Sequence, residues 1–363
     1  MKILVVTGHS AGHIFPAVSF IQTLKEKFPD TSCLLVVPKK NSLPMDYFTG
    51  RDIQYITSAK LSFDTIGKTA ESIIGLMRQF IQSANILFCY KPDVIIGFGS
   101  IVCIWFLILG WLCRINTVLH EQNVVPGRAN RFLSYIVDTI CVSFPETLDF
   151  FPKQKKNLLV TGNPIKRQIH HVSKQQALKY FGLDEKKFTI LVMGGSQSSL
   201  AVNRMSLETF AYLRQKDALQ VIHLCGSKEE AQIKDTYLKL GISASVFAFL
   251  KEMEFAYSIA DLVFCRAGAT TLTELCYYRI PAILFPYPFA GNHQYYNAEL
   301  LSKKGCCKLV EERFFSAKQL AQFLEEVLTN KRILFQMSNA YPQLNVEKAA
   351  ENLVATVLRR EPL

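Results

Sequence analysis

Three glycine turns are the parts of this 363-residue sequence best suited to holding phosphate: Gly8-His9-Ser10-Ala11-Gly12, Gly194-Gly195-Ser196 and the run from Arg266 to Thr271. Each follows an apolar run and opens a segment with helical periodicity. Such a turn exposes backbone N–H groups and the positive end of a helix dipole, where anions bind. A single glycine turn can simply be turn chemistry, but three at equivalent places are more informative. The stretch Arg266-Ala267-Gly268-Ala269-Thr270-Thr271-Leu272-Thr273-Glu274 says most. Gly268 permits close approach of a diphosphate, and Thr270 and Thr271 can donate to its oxygens from the first helical turn. Glu274, one turn on, can accept from two ribose hydroxyls. The plainer reading is a threonine-capped helix with a solvated glutamate.

Three histidine-bearing segments add reactive groups. His13 follows the first glycine turn directly and can serve as general base toward an acceptor hydroxyl. Its plain alternative is a hydrogen bond to a neighbouring loop. His120-Glu121-Gln122-Asn123 puts four polar groups in a row at the end of a strand-like run, ahead of a Pro126-Gly127 turn, and is a further site candidate. His293-Gln294 follows Phe285-Pro286-Tyr287-Pro288 at another strand end. There is no D-x-D pair and no H-E-x-x-H, so no metal is expected. Diphosphate chemistry then leans on helix N-termini for the leaving group. The G-x-x-x-x-G-K-[ST] loop is absent, and Gly8 does not open a G-x-G-x-x-G.

The elements that must carry these groups alternate. Residues 2–6, 33–37, 93–96, 116–119 and 139–142 read as strands in the first half, and residues 189–193, 220–224, 261–265 and 281–285 in the second. After the first strand, Ile14, Ala17, Val18, Ile21 and Leu24 recur at helical spacing, with Pro16 suited to a first turn. Buried apolar strands alternating with helices imply parallel sheets. The pattern restarts near residue 189, so the reading is α/β with two doubly wound domains. Residues 1–163 form the first and 164–345 the second, with Thr161-Gly162-Asn163-Pro164 as the hinge. A last helix, within 346–363, packs back on the first domain. Ligands of such sheets sit beyond the strands' carboxyl ends, and two facing domains can line one cleft with them.

Composition bounds the partners. The chain is 49% hydrophobic and 20% charged, which is globular, and its net charge of +11 favours anionic partners such as phosphorylated ligands or anionic lipid. Basic clusters at residues 153–156 and at Lys166-Arg167 are short, and no nucleic-acid signature accompanies them, so nucleic acid is not expected. The ten cysteines form no C-x-x-C and lie mostly in apolar runs, Cys33, Cys89, Cys103, Cys141, Cys265 and Cys276 among them. They read as reduced, buried thiols of a cytosolic protein. The short apolar N-terminus reads as a strand and not a signal peptide. Residues 101–113 carry no charge but fall short of the roughly 20 residues that span a bilayer, so a buried or membrane-touching helix is expected.

The motifs taken together resemble one family over nearly the whole chain and in order. They are Gly12-His13-Ile14-Phe15-Pro16-Ala17, Lys91-Pro92-Asp93-Val94-Ile95-Ile96-Gly97, His120-Glu121-Gln122-Asn123 and Thr161-Gly162-Asn163-Pro164 in the first half. Gly194-Gly195-Ser196-Gln197, Ala260-Asp261-Leu262-Val263, Cys265-Arg266-Ala267-Gly268 and His293-Gln294-Tyr295-Tyr296-Asn297-Ala298 follow in the second. They resemble the MurG family of peptidoglycan N-acetylglucosaminyltransferases, which convert lipid I to lipid II. The resemblance implies a GT-B fold, two Rossmann-like domains facing a central cleft. It implies inverting, metal-independent transfer of N-acetylglucosamine from UDP-GlcNAc to the lipid-linked muramoyl-pentapeptide, by a peripheral protein on the cytoplasmic side of the bacterial inner membrane. The donor would be met by Ser196, Leu250, Ala269, Thr270, Thr271, Leu272, Thr273, Glu274, His293 and Gln294, with Glu274 on the ribose. Ser10, Ala11, Gly12 and Asn123 would meet it from the N-terminal side. Lys166 falls where the family has an arginine near the diphosphate, with Arg167 adjacent, and His13 would be the base or an acceptor-positioning residue.

Two segments depart from the family pattern. Its first loop is G-G-T-G-G-H, where this chain has Gly8-His9-Ser10-Ala11-Gly12-His13, keeping a hydroxyl at Ser10 but losing two glycines. After Gly97 the family has a G-G-Y loop, where this chain runs Phe98-Gly99-Ser100-Ile101 into apolar residues. The second departure motivates an alternative: a related UDP-sugar transferase acting on another lipid or polyprenol acceptor. A nucleotide-sugar 2-epimerase would share the architecture, and a non-catalytic binding subunit the fold.

Overall fold

A computed structural model describes residues 1–39, 51–59, 66–152, 157–166, 169–195, 199–311, 313–342, 344 and 346–359. The chain divides into two compact units, Met1–Lys166 with Asn345–Leu363, and Arg167–Leu344.

Unit 1 holds a seven-stranded parallel sheet. Its strands are β1 (Lys2–Val6), β2 (Ser32–Pro38), β3 (Asp52–Ile56), β4 (Val94–Gly97), β5 (Asn116–Glu121), β6 (Thr139–Val142) and β7 (Leu158–Val160), in the order β3-β2-β1-β4-β5-β6-β7. Successive residues of each strand face opposite sides. Ile3 and Val5 pack with the helix Ala11–Lys27, while Leu4 and Val6 pack with the helix Val102–Leu112. Both faces of the sheet are therefore apolar, as a sheet covered on both sides requires. The C-terminal helix Ala349–Leu358 belongs to this unit. Leu353, Val354 and Val357 join the core beside the helix Ala11–Lys27, and Arg359 donates to the Asn116 side-chain oxygen at 2.6 Å.

Unit 2 holds a six-stranded parallel sheet of β8 (Phe188–Met193), β9 (Leu219–Leu224), β10 (Ser243–Phe247), β11 (Leu262–Cys265), β12 (Ala282–Leu284) and β13 (Cys307–Leu309), in the order β10-β9-β8-β11-β12-β13. In each sheet the strand order reverses once beside the first strand, between β1 and β4 and between β8 and β11. Such a reversal opens a crevice beyond the carboxyl ends of the two strands, where ligands of this architecture bind. The described residues beyond those four ends are the glycine turns and their partners, residues 7–10, 98–101, 194–195 with 199, and 266–268.

Several expectations need correction. The helix after β1 begins at Ala11, so Pro16 stands at its sixth position and not in the first turn. With no N–H on Pro16, the Gly12 carbonyl has no i+4 partner to accept from. The run Thr161-Gly162-Asn163-Pro164, expected to be a hinge, is fastened to unit 1. Thr161 and Gly162 donate to the Val142 carbonyl, and His120 Nε2 lies 3.0 Å from the Gly162 carbonyl. Cys89 is exposed, as is Cys113, while the other eight cysteines are buried. The basic cluster at residues 153–156 lies outside the described residues.

The helix Ile66–Tyr90 is inverted relative to an ordinary surface helix. It buries Ser72, Gln79, Ser83 and Leu87 and exposes Ile73, Ile74, Met77, Phe80, Ile81 and Phe88. The helix Val102–Leu112 is buried for most of its length but exposes Trp111 and Leu112 at its end. Among the described residues, no helix is long and apolar enough to cross a membrane.

Candidate active site

In unit 1, His13 occupies the first turn of the helix after β1, its N–H 3.0 Å from the Ser10 carbonyl. Ser10 is the N-cap, in extended conformation, but its side chain makes no capping bond. The His13 ring is walled by backbone. A Cβ at Gly8 would stand 2.6 Å from His13 Cδ2 and 2.7 Å from Ser100 Cβ, and one at Gly99 would stand 3.3 Å from His13 Cε1. Gly99 has φ +84° and Ser100 φ +80°. For serine that left-handed conformation costs on the order of 1–2 kcal/mol. It is held by Cys103, whose N–H bonds the Ser100 carbonyl and whose thiol donates to the Gly99 carbonyl at 2.8 Å. Burial pushes that thiol up to about 12, so it stays a thiol. Phe98 is fully buried against His120, with ring centroids 5.4 Å apart. The altered loop after Gly97 is thus a wall of the His13 slot, anchored by a core aromatic.

The four residues at the end of β5 divide by side. Glu121 is buried and its carboxylate accepts four bonds: from the Asn123 N–H and Nδ2 at 2.9 and 3.1 Å, from the Gly127 N–H at 3.1 Å and from Asn130 Nδ2 at 2.7 Å. A buried carboxylate needs such donors, and here they fold the Asn123–Gly127 loop around it. Asn123, expected against the donor, commits its amide to this structural bond. On the other side Gln122 Oε1 lies 2.9 Å from His13 Nδ1, and Gln122 Nε2 lies 2.9 Å from His120 Nδ1. Burial lowers the pKa of His13, against the opposing pull of Gln122 and Glu121, and lowers that of His120 to about 4. Both rings are neutral near pH 7. Ala11 is buried and Gly12 part-buried beside them. Lys166 lies in unit 1, its ammonium 3.9 Å from the centroid of the Phe15 ring. Arg167 lies outside the described residues.

In unit 2 the helix Ala269–Tyr278 opens at Gly268 without a side-chain cap. Ala269 is buried, and the Thr270 hydroxyl is buried with no partner among the described residues. Thr271 and Glu274 are part-exposed on one edge of the helix. Leu272 and Thr273 turn inward. Leu272 is fully buried, and the Thr273 hydroxyl is bonded to the Ala269 carbonyl at 2.9 Å. The expected run of contacts therefore narrows to Thr270, Thr271 and Glu274 for side-chain chemistry. Tyr257 donates to Glu274 Oε2 at 2.7 Å. Sequence reasoning missed this residue, because nothing in its own helix Met253–Ile259 points to a partner 17 positions on.

His293 and Gln294 begin the helix His293–Lys304. Gln294 Oε1 accepts from the Ala267 N–H at 3.1 Å and the Tyr287 N–H at 3.0 Å, and Asn297 Nδ2 donates to the Ala267 carbonyl at 3.1 Å. These two amides clasp both backbone groups of Ala267 and so shape the turn that presents Gly268. Arg266 is a second clasp. It donates to Ser199 Oγ at 3.0 Å and to the carbonyls of Phe285 and Pro286 at 3.0 and 3.3 Å. It thereby joins the loops after β8, β11 and β12. His293 is part-exposed at the same helix start. Leu250 is buried three residues past β10. Gly195 adopts φ +83° at the end of β8, and Ser196 lies outside the described residues.

Residues 3–142 match the glycosyltransferase family 28 N-terminal domain, and residues 189–353 match its C-terminal domain. Over 99% of this chain, 32% of residues are identical to the UDP-N-acetylglucosamine--N-acetylmuramyl-(pentapeptide) pyrophosphoryl-undecaprenol N-acetylglucosamine transferase of Thermodesulfovibrio yellowstonii, which is covered completely. The chain belongs to the MurG family. A MurG-family relative of the same name from Halothermothrix orenii is 33% identical over 98% of this chain and 97% of its own. The crystal structure of MurG from Acinetobacter baumannii aligns over 99% of both chains with a TM-score of 0.78 at 23% identity, a likeness of fold. The fold is GT-B, with two Rossmann-like α/β units, and members of the MurG family are N-acetylglucosamine transferases.

Proposed function

We propose that this protein transfers N-acetylglucosamine from UDP-GlcNAc to the lipid-linked muramoyl-pentapeptide of lipid I, with inversion, forming lipid II for peptidoglycan. The observation that carries this reading is the full-length, 32% identical relative whose name gives that donor and that acceptor. In unit 2, the unpaired Thr270 hydroxyl and the uncapped N-terminus of the helix Ala269–Tyr278 suit a diphosphate. Glu274, one turn on, suits a ribose. Leu250 and His293 complete the donor contacts of this reading, and Gln294 acts by holding the backbone of Ala267.

In unit 1 His13 is the base. The acceptor oxygen attacks the anomeric carbon as its proton passes to His13, and the bond from that carbon to the diphosphate oxygen breaks, releasing UDP. The negative charge that develops on the diphosphate is taken by the helix N-terminus and the Thr270 and Thr271 hydroxyls. This reading takes no metal. Ser10, Ala11, Gly12 and Lys166 are the groups that unit 1 offers the donor in this reading, and Asn123 holds the Glu121 carboxylate.

The acceptor is a lipid, and the inverted helix Ile66–Tyr90 supports peripheral contact with the inner leaflet from the cytoplasmic side. Its exposed Ile73, Met77, Phe80 and Ile81 form one apolar face, with Lys68 and Arg78 exposed on the same helix. The test is acceptor-dependent UDP release. Release that requires both UDP-GlcNAc and a short-chain lipid I analogue supports the reading. Equal release from UDP-glucose or with unrelated polyprenyl phosphates contradicts it.

A further inference from the structure

His120, Gln122 and His13 form a line of three side chains in which each hydrogen-bond role follows from the one before it. The line starts at the Gly162 carbonyl, which can only accept. His120 Nε2 lies 3.0 Å from it and therefore carries a proton. His120 is fully buried and neutral, so its Nδ1 is a lone pair. Gln122 Nε2 lies 2.9 Å from that lone pair and 3.0 Å from the His120 carbonyl. Two acceptors on one side fix the orientation of the amide, which leaves Gln122 Oε1 facing His13 Nδ1 at 2.9 Å. An amide oxygen can only accept, so the His13 proton sits on Nδ1. The lone pair of neutral His13 is then on Nε2, between Cδ2 and Cε1, the two atoms flanked by Gly8 and Gly99.

We propose that His120 and Gln122 are positioning residues that set the tautomer of His13 and hold its Nε2 unprotonated toward the reacting hydroxyl. The proposal rests on the reading of His13 as the base. When the acceptor proton arrives on Nε2, the Nδ1 proton stays with Gln122 Oε1, and the imidazolium charge is met by that amide dipole and by Glu121. A histidine held in the wrong tautomer would offer an N–H where a lone pair is needed. The Gly162 turn, far from His13 in sequence, is the fixed end of the line. This gives a chemical role to Thr161-Gly162-Asn163-Pro164 beyond that of a connection.

The test is ¹⁵N NMR of the histidine rings in the full-length protein, read beside turnover. In the unaltered protein His13 should show Nδ1 protonated and Nε2 bare. In His120→Phe, whose ring can occupy the place beside Phe98, the Gln122 amide is released to turn. His13 should then shift toward the Nε2–H tautomer, and kcat should fall roughly 100-fold, the scale of a lost general base. The KM for UDP-GlcNAc should stay within about twofold, since this change spares the groups that hold the donor.

A second variant, Gln122→Glu, sets a carboxylate against the Nδ1 proton. The groups that act on His13 are the Gln122 side chain and the Phe98 carbonyl, His9 in the glycine turn, and Glu121 and His120 at the end of β5. The added charge joins Glu121 in favouring the imidazolium. The acidic limb of kcat/KM should therefore move up by about one pH unit or more. A His13 protonated on Nε2 in the unaltered protein would overturn the proposal. So would a His120→Phe variant that keeps both the Nδ1–H tautomer and full kcat, or a Gln122→Glu variant whose acidic limb does not move. Full turnover by His13→Ala, together with an Nδ1-protonated His13 in the unaltered protein, would instead overturn the base reading on which the proposal rests.

Discussion

Tyr257 donates a 2.7 Å hydrogen bond to Glu274 Oε2, fixing the one carboxylate that the helix Ala269–Tyr278 offers beside its uncapped first turn. Tyr257 is buried, which raises its pKa well above the ordinary 10, so it remains a donor at any working pH. Tyr257→Phe removes the bond and keeps the ring stacked on Tyr278. The expected effect is a loss of about 1 kcal/mol, roughly fivefold in UDP affinity, with kcat little changed. Glu274→Ala should cost more, on the order of 10- to 100-fold, because a charge-assisted bond to the ribose is lost. Calorimetric titration with UDP reads both. A Glu274→Ala protein that binds UDP like the parent would remove the ribose assignment.

Gly8→Ala tests the His13 slot from the opposite side. The added methyl would lie 2.6 Å from His13 Cδ2 and 2.7 Å from Ser100 Cβ, so the ring or the Ser100 turn must move. A displaced catalytic group costs on the order of 10²-fold in rate. The expected outcome is that loss in kcat, a donor affinity near the parent's and a lowered melting temperature. Unchanged kcat would mean that His13 does not act from this slot.

Much of this was legible in the sequence, and what was missed has a pattern. The strands read correctly are the interior ones, whose apolar runs are buried on both faces. The four that went unread, β3, β7, β10 and β13, are the edges of the two sheets. Their alternation is broken by exposed positions such as Asp52, Leu159, Val160 and Ser243. The glycine turns were read because they lie at strand ends, but which side chains they present was not. Leu272 and Thr273 could be separated from Thr271 and Glu274 only once the helix had a buried side. Gln294 reads as a ligand group because polar residues at a strand end look alike, whether they grip a substrate or the backbone of Ala267. Tyr257 was invisible because its partner is set by tertiary packing alone.

Stability should fall in mild acid. Burial lowers His120 to about 4 and His223 to about 3, against an ordinary 6.5. Between pH 6.5 and about 4 the unfolded chain binds protons that the folded chain refuses, so the stability present above 6.5 is lost as pH falls. Each group contributes up to roughly 1.4 kcal/mol per pH unit within that window. His223 lies between Tyr237 and Asn203, at 2.8 and 3.1 Å, and His223→Gln can keep both bonds without titrating. Urea unfolding from pH 7 to 4.5 should show a shallower loss in that variant. An unchanged slope would contradict the account.

The apolar face of the helix Ile66–Tyr90 predicts where lipid is touched. Met77 and Ile81, 60% and 54% exposed, lie one turn apart on it. Met77→Glu and Ile81→Glu should each weaken sedimentation with anionic vesicles by roughly tenfold, the value of one buried aliphatic side chain. Turnover on a water-soluble acceptor should be unaffected. Vesicle binding that persists in the double variant would locate the membrane contact elsewhere.

The central claim is met most directly by one transfer assay, run with radiolabelled UDP-GlcNAc, a short-chain lipid I analogue and a chelator in place of added metal. The account predicts label in the lipid product from the parent protein and almost none from His13→Ala, with UDP still bound by that variant. Bound UDP with no label transferred by the parent protein would contradict the assigned acceptor, and transfer that survives in His13→Ala would contradict the assigned base.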